Sequence, residues 1–298
     1  MKRNSTCEPW KVSLHGGHCG EFCDHGRGTL REVLEAAVRF GFHTYGVSEH
    51  APRLGAEFLY REEVAMGWDV AKIEHDFEAY AAVIGGLAEE FEKRLAVLRG
   101  FEAEVVPTES YAAIMLGYRA RFPFEYLVGS VHWVNGIQID GPRDKFAQAV
   151  ERHDGLERLG VHYYEAVAEM VESLRPEVVG HLDLVRRNAG TFGPVDTPAI
   201  RKAAEHTLEV IGAHGCILDV NTAGYRKGLG TPYPAPWLVE LANRMGLGFC
   251  FGDDSHGPED VGAGIDEARD YLLKNSVRTI TYLTRRDGIV ACESADLA

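Results

Sequence analysis

At 298 residues and 45% hydrophobic content, the chain can bury one large core or two ordinary ones. Its formal charge of -14 and the lack of a basic stripe argue against a nucleic-acid partner, although a local cationic or metal-bearing pocket can still take an anion. No run of about 18 apolar residues is present to cross a membrane, charged residues stand where a secretory signal needs an apolar core, and the six cysteines lie irregularly without a CxxC pair, so the expectation is a reduced, cytoplasmic protein.

The first strand-sized apolar run covers 12–14 and leads into Ser13-Leu14-His15-Gly16-Gly17-His18. The two glycines let the backbone bend so that both imidazoles aim inward. His25 follows within Cys23-Asp24-His25-Gly26. Thr29 and Glu32 form a capping box, Leu30, Val33, Leu34, Ala37 and Val38 make one apolar stripe, and Gly41 stops the first helix. A second run at 44–47 ends in Ser48-Glu49-His50, and the weakly periodic stretch 52–68 predicts a long loop over a pocket mouth.

Beyond it, a helix over 71–94 leads to a run at 95–98 and then to Gly100-Phe101-Glu102-Ala103-Glu104. A helix over 109–120 precedes the run 126–128 and Gly129-Ser130-Val131-His132, and a helix over 161–174 precedes the run 178–179 and Gly180-His181-Leu182-Asp183. Helices over 198–214 and 236–244 flank a run at 217–220. The run 248–251 ends in Gly252-Asp253-Asp254-Ser255-His256, ahead of a helix over 259–275. Last, 279–283 and 289–292 flank Arg285-Arg286-Asp287-Gly288, whose Asp-Gly pair suits a hairpin that closes or covers the final barrel segment.

Strand and helix thus alternate about seven times, which favours a closed parallel α/β barrel in a single domain over 1–298. Every strand of such a barrel delivers its C-terminal end to one rim, so His15, His18, His25, His50, Glu102, His132, His181, Asp254 and His256 converge there. Strand capping accounts for one or two of them, but not for an imidazole or acid after nearly every strand. So many unpaired polar groups in one pocket are costly without metals or a network, and His/carboxylate shells suit Zn, Mn and Fe. Cys19 and Cys23 offer thiolates, which would make a tighter and less hydrolytic zinc site. Glu49, Glu104, Asp183 and Asp253 are better placed to orient imidazoles through the ring nitrogen that binds no metal.

These motifs, together with Asp219-Val220-Asn221-Thr222-Ala223-Gly224-Tyr225-Arg226-Lys227, resemble those of the PHP (polymerase and histidinol phosphatase) metal-dependent phosphoesterases, most of all the histidinol-phosphatase branch. That family's first motif is commonly His-x-His, whereas here two glycines separate His15 from His18. The resemblance implies a distorted (β/α)7 TIM-like barrel carrying three divalent metal ions. It implies one ion on His15, His18, Glu102 and Asp254, a second on Glu102, His132 and His181, and a third on His25, His50 and His256, with Glu102, Asp254 and His256 as catalytic residues.

The expected reaction is phosphomonoester hydrolysis, in which the metals lower the pKa of bound water toward about 7 and clamp the phosphoryl group, so that no serine or cysteine nucleophile is needed. Arg186, Arg187, Arg226 and Lys227 are near enough to rim loops to bind phosphate, Arg being the better fork. The resemblance points to L-histidinol phosphate as the small phosphomonoester substrate, hydrolysed to L-histidinol and phosphate in histidine synthesis. The rival readings are a PHP phosphoesterase acting on another small phosphate compound such as a nucleotide, an amidohydrolase-like barrel, and a non-catalytic metal-binding barrel. The full set of candidate ligands argues against the last. The sequence carries no signature of a particular oligomeric state.

Overall fold

The computed structural model describes residues 8–286 and 288–298, so Asp287, half of the expected Asp-Gly turn, lies outside the described residues. Strands Val12–Ser13, Thr44–Val47, Ala96–Ala103, Tyr126–Gly129, Val178–Val179, Ile217–Asn221 and Phe249–Gly252 pair in that order, all parallel. The ring closes between its ends: Leu14 N donates to Phe251 O at 2.8 Å, and Asp254 N donates to His15 O at 2.8 Å. This is the expected TIM-like barrel, distorted because its first and fifth strands contribute only two residues each.

Local chemistry sets the helix limits. Thr29 accepts from Glu32 N while the Glu32 carboxylate accepts from Thr29 N, and Gly41 at φ 88° ends the helix Leu30–Phe40. Thr197 caps Pro198–His214, whose first position is a proline that needs no hydrogen-bond donor. Leu156–Leu174 packs against that helix, and buried side chains such as Leu159 and Leu208 each contribute ~1.5–3 kcal/mol. Within the barrel, a Cβ on Gly46 or Gly100 would run into the Tyr126 ring, so two glycines on neighbouring strands make room for one buried tyrosine.

Several elements depart from the expected bounds. The third strand runs on to Ala103, which places Glu102 inside the sheet rather than just past it. The last expected helix begins only at Ile265, after Gly262 and Gly264 adopt φ 78° and 82°. A helix at Arg143–Arg152 and a small hairpin pairing Trp133–Val134 with Ile137–Gln138 are additions to the sequence reading. The loop 52–68 holds two short helical pieces, Ala56–Phe58 and Arg61–Ala65. The buried Arg53 pins it, donating to Phe58 O at 3.0 Å, pairing with Glu63 and lying 3.8 Å from the centre of the Tyr60 ring.

The C-terminal hairpin, Thr279–Arg286 with Ile289–Asp296, packs beneath the N-terminal ends of the strands. Arg285 donates to Val97 O at 3.2 Å and pairs with Glu125 at 2.7 Å, and Thr281 lies against Gly248. The hairpin therefore does cover the last barrel segment, but from the floor, and the opposite rim stays open. Among the described residues no helix is long and apolar enough to cross a membrane.

Candidate metal centre

The first motif turns sharply between the second and seventh strands. Gly17 sits at φ 83° with its N–H on Ser255 Oγ at 3.1 Å, and a Cβ on Gly16 would collide with the Asp253 carboxylate. The turn brings both flanking rings onto one acid: His15 Nε2 lies 3.2 Å from Glu102 Oε1, and His18 Nε2 lies 3.9 Å from Glu102 Oε2. The two-glycine spacer thus delivers the two rings together.

Glu102 is the hub. Besides His15 and His18, it faces His50 Nδ1 at 2.8 Å, His181 Nε2 at 3.2 Å and His132 Nε2 at 3.6 Å. Burial opposes its ionisation, but His15, His132 and His50 more than offset this and hold the carboxyl well below its ordinary range. Asp254 lies between the remaining rings, 3.7 Å from His18 Nε2 and 3.6 Å from His256 Nδ1. It and His181 hold positive φ, 46° and 23°, a backbone region that residues with a Cβ seldom occupy and that recurs at functional sites.

An outer row of acids turns the rings. Asp219 Oδ2 accepts from His15 Nδ1 at 2.7 Å, Glu104 from His132 Nδ1 at 2.8 Å and Asp24 from His25 Nδ1 at 2.7 Å, in each case leaving Nε2 to face the pocket. Glu49 stands 3.5 Å from His18 Nδ1 and accepts from Cys19 N at 2.8 Å. The other two expected orienting acids do something else. Asp183 accepts from Ala235 N and pairs with Arg186, and Asp253 accepts from Ser13, Tyr45 and Gly262 N, so both brace loops. Asp24 and Asp219 were outside the expected set, although Asp219 carries the same signal as the others, an acid near the end of a strand. Asp219→Asn is expected to weaken metal binding about 10–100-fold while the fold persists. Titration calorimetry on the metal-free variant reads this, and unchanged affinity would remove Asp219 from the centre.

The donor set fits divalent cations. Buried His15 Nε2, both ring nitrogens of His18 and both of His50 have no partner in hydrogen-bond geometry among the described residues, a costly state for groups shut off from water. Protons cannot satisfy the cluster evenly. Burial works against a charge on His132, yet Glu104 and Glu102 push its pKa up to about 10, while burial and His18 push His50 down to about 3. Ligand atoms lie within 4.8 Å of one another in the set Glu102, His132 and His181 and in the set His25, His50 and His256, which Cys23 joins. The expected quartet does not gather as one set. His15 and His18 group with Glu102, whereas Asp254 groups with His15 and His181 and again with His18 and His256, because it stands between them.

Above the centre lies a cavity of about 570 Å3 whose wall includes His25, His50, His256, Arg187, Arg226 and Lys227. Arg226 Nη2 holds the Asp253 and Asp254 carbonyls at 2.7 Å each, and Arg187 lies 3.4 Å from Asp140. Arg186 is turned away, engaged by Thr231, the Pro232 carbonyl and Asp183, and takes no part in the wall. Tyr60 and Glu62 from the loop 52–68 do line it, as a loop over the mouth should.

The PHP domain family matches residues 16–223, more than half of the chain and five of the seven barrel strands. The chain belongs to the PHP family. Among relatives of this PHP chain, a Schizosaccharomyces pombe protein named "Probable histidinol-phosphatase" is 30% identical over 282 residues, which cover 92% of this chain and 90% of that one. The crystal structure of a candidate histidinol phosphatase from Listeria monocytogenes superposes with a TM-score of 0.74 at 26% identity, covering 86% of this chain and 99% of that one. A histidinol phosphate phosphatase from Lactococcus lactis, solved with zinc, L-histidinol and phosphate, shares the PHP barrel with a TM-score of 0.71 at 18% identity, over 95% and 99% of the two chains.

Proposed function

We propose that the chain is a histidinol-phosphatase, a phosphoric monoester hydrolase that converts L-histidinol phosphate to L-histidinol and phosphate. The observation that carries this is the two-signed cavity. Arg187, Arg226 and Lys227 stand on its wall for the phosphate, while Glu62 and Asp140 stand there too, Asp140 with a buried Oδ1 that has no hydrogen-bond partner among the described residues. A substrate that carries a phosphate and, on the carbon next to the phosphoester CH2, an ammonium matches that pairing of charges. The names of the relatives and the ligands of the Lactococcus lactis enzyme support the same reading.

In this proposal residues 1–298 act as one cytoplasmic catalytic unit. His15, His18, His25, His50, Glu102, His132, His181, Asp254 and His256 hold three divalent ions, of zinc, manganese or iron. When bound, such ions supply Lewis acidity, lower the pKa of water toward about 7 and steady charge on phosphoryl oxygens. Arg226, one nitrogen of which already braces the Asp253 and Asp254 carbonyls, turns its remaining donors toward phosphate, with Arg187 and Lys227 beside it. Glu102 sets the positions of the inner imidazoles. Asp254 and His256, partly exposed on the open side of the cluster, serve the reaction as ligands of the ions.

A nucleotide carries phosphate but no ammonium for Asp140 and Glu62. In a panel on metal-analysed protein, kcat/KM for L-histidinol phosphate is therefore expected to exceed that for nucleotides and sugar phosphates by at least about a hundredfold. Equal or better turnover of nucleotides would overturn the substrate and leave a PHP phosphoesterase of other specificity. Release of no phosphate from any of them would overturn the reaction.

A further inference from the structure

We propose that Cys23 is a metal ligand, completing a shell of one thiolate and three imidazoles with His25, His50 and His256 around one of the ions. The proposal rests on the metal-centre reading above and goes beyond it by adding a thiolate to an otherwise imidazole set. Cys23 is buried, and its Sγ lies within 4.8 Å of a ring nitrogen of each of the three histidines, which are themselves that close to one another. A tetrahedral ion with a metal–sulfur bond of about 2.3 Å and metal–nitrogen bonds of about 2.0–2.1 Å sets sulfur and nitrogen about 3.5 Å apart. Cys23 Sγ stands 3.4 Å from His25 Nδ1 and 3.6 Å from His25 Nε2, so the sulfur and Nε2 already lie at about that separation.

The loop is built to present that pair. Cys23 N donates to Cys19 O at 3.0 Å and Gly26 N donates to Cys23 O at 3.2 Å, a tight turn that fixes Cys23 and His25 beside each other. Asp24 takes His25 Nδ1 at 2.7 Å, which leaves Nε2 as the ring nitrogen to bind an ion. Cys19, four residues earlier and also buried, joins no such group, so burial alone does not bring a thiol to the centre. As the metal–sulfur bond forms, the S–H bond breaks and its proton leaves to solvent, with no change in oxidation state. Four protein ligands close a tetrahedral shell, which gives this ion the task of holding the rim loop, whereas ions on smaller sets keep positions open to substrate.

Cobalt(II) titration of the metal-free full-length chain tests this by absorption. A sulfur-to-cobalt charge-transfer band in the near ultraviolet is expected to grow in with one cobalt equivalent, persist in Cys19→Ser and vanish in Cys23→Ser, which still takes up the other equivalents. X-ray absorption of the zinc-loaded parent, which needs no variant to fold, is expected to show a sulfur neighbour at about 2.3 Å. Full cobalt uptake without the band, or a band that survives Cys23→Ser, would overturn the thiolate and leave the imidazole–carboxylate centre standing. Failure of the parent to bind cobalt at all would overturn both.

Discussion

Glu102→Gln is expected to lower phosphomonoester turnover by at least the ~10²–10³ that loss of one preorganised electrostatic group costs, and to cut the metal content of the purified protein. The carboxylate meets His15, His18, His50, His132 and His181, from 2.8 to 3.9 Å. An amide of the same shape keeps the packing of the third strand but removes the charge and puts N–H donors against rings that need an acceptor or a cation. Removing one partner from a buried, charged set costs about 3–5 kcal/mol, because the others are left uncompensated. Metal analysis beside kcat/KM checks the result. A variant with full metal content and activity within a few-fold of the parent would show that the hub is structural.

Chelation should have the second largest effect. Stripping the ions is expected to abolish phosphate release, with recovery on adding zinc, manganese or iron, whichever ion the site takes. It should also lower the melting temperature. An ion present at a hundred times its Kd stabilises the fold by about 2.7 kcal/mol, and a domain of this size shifts by about 2 °C per kcal/mol, so roughly 5 °C per ion is expected. A chelated protein that melts where the parent does, and still turns over substrate, would contradict the metal-centre reading.

The sequence made some elements plain and hid others for physical reasons. Pro198 and Pro236 open helices at their first positions, and Gly215 at φ 69° closes one, so those spans can be read to the residue. The helix Arg143–Arg152 buries only Phe146 and Ala149, too thin a stripe to set a period. Asn135-Gly136 is a strong hairpin signal, with φ 49° and 73°, but its flanking strands have two residues each and show no alternation. At the site, the rim acids and histidines were legible because a parallel barrel sends every strand end to one face. Asp219 carries that signal too, but its partner could not be read, since His15 lies across the ring and becomes a neighbour only on closure. Nor could neighbouring arginines be told apart. Arg187 reaches the cavity and Arg186 turns back onto Thr231, a difference of side-chain direction along one helical turn.

The bonds that join the two ends of the barrel also order events in time. A chain leaves the ribosome N-terminus first, so His15, His18 and Glu102 exist long before Asp254 and His256. The set Glu102, His132 and His181 lies wholly within the earlier part of the chain, while every set that uses Asp254 or His256 waits for the last strand to dock beside the first. Ions for those sets are therefore taken up only once the last strand has docked, from whatever the surrounding medium offers. A prematurely ended chain has no such pocket to fill.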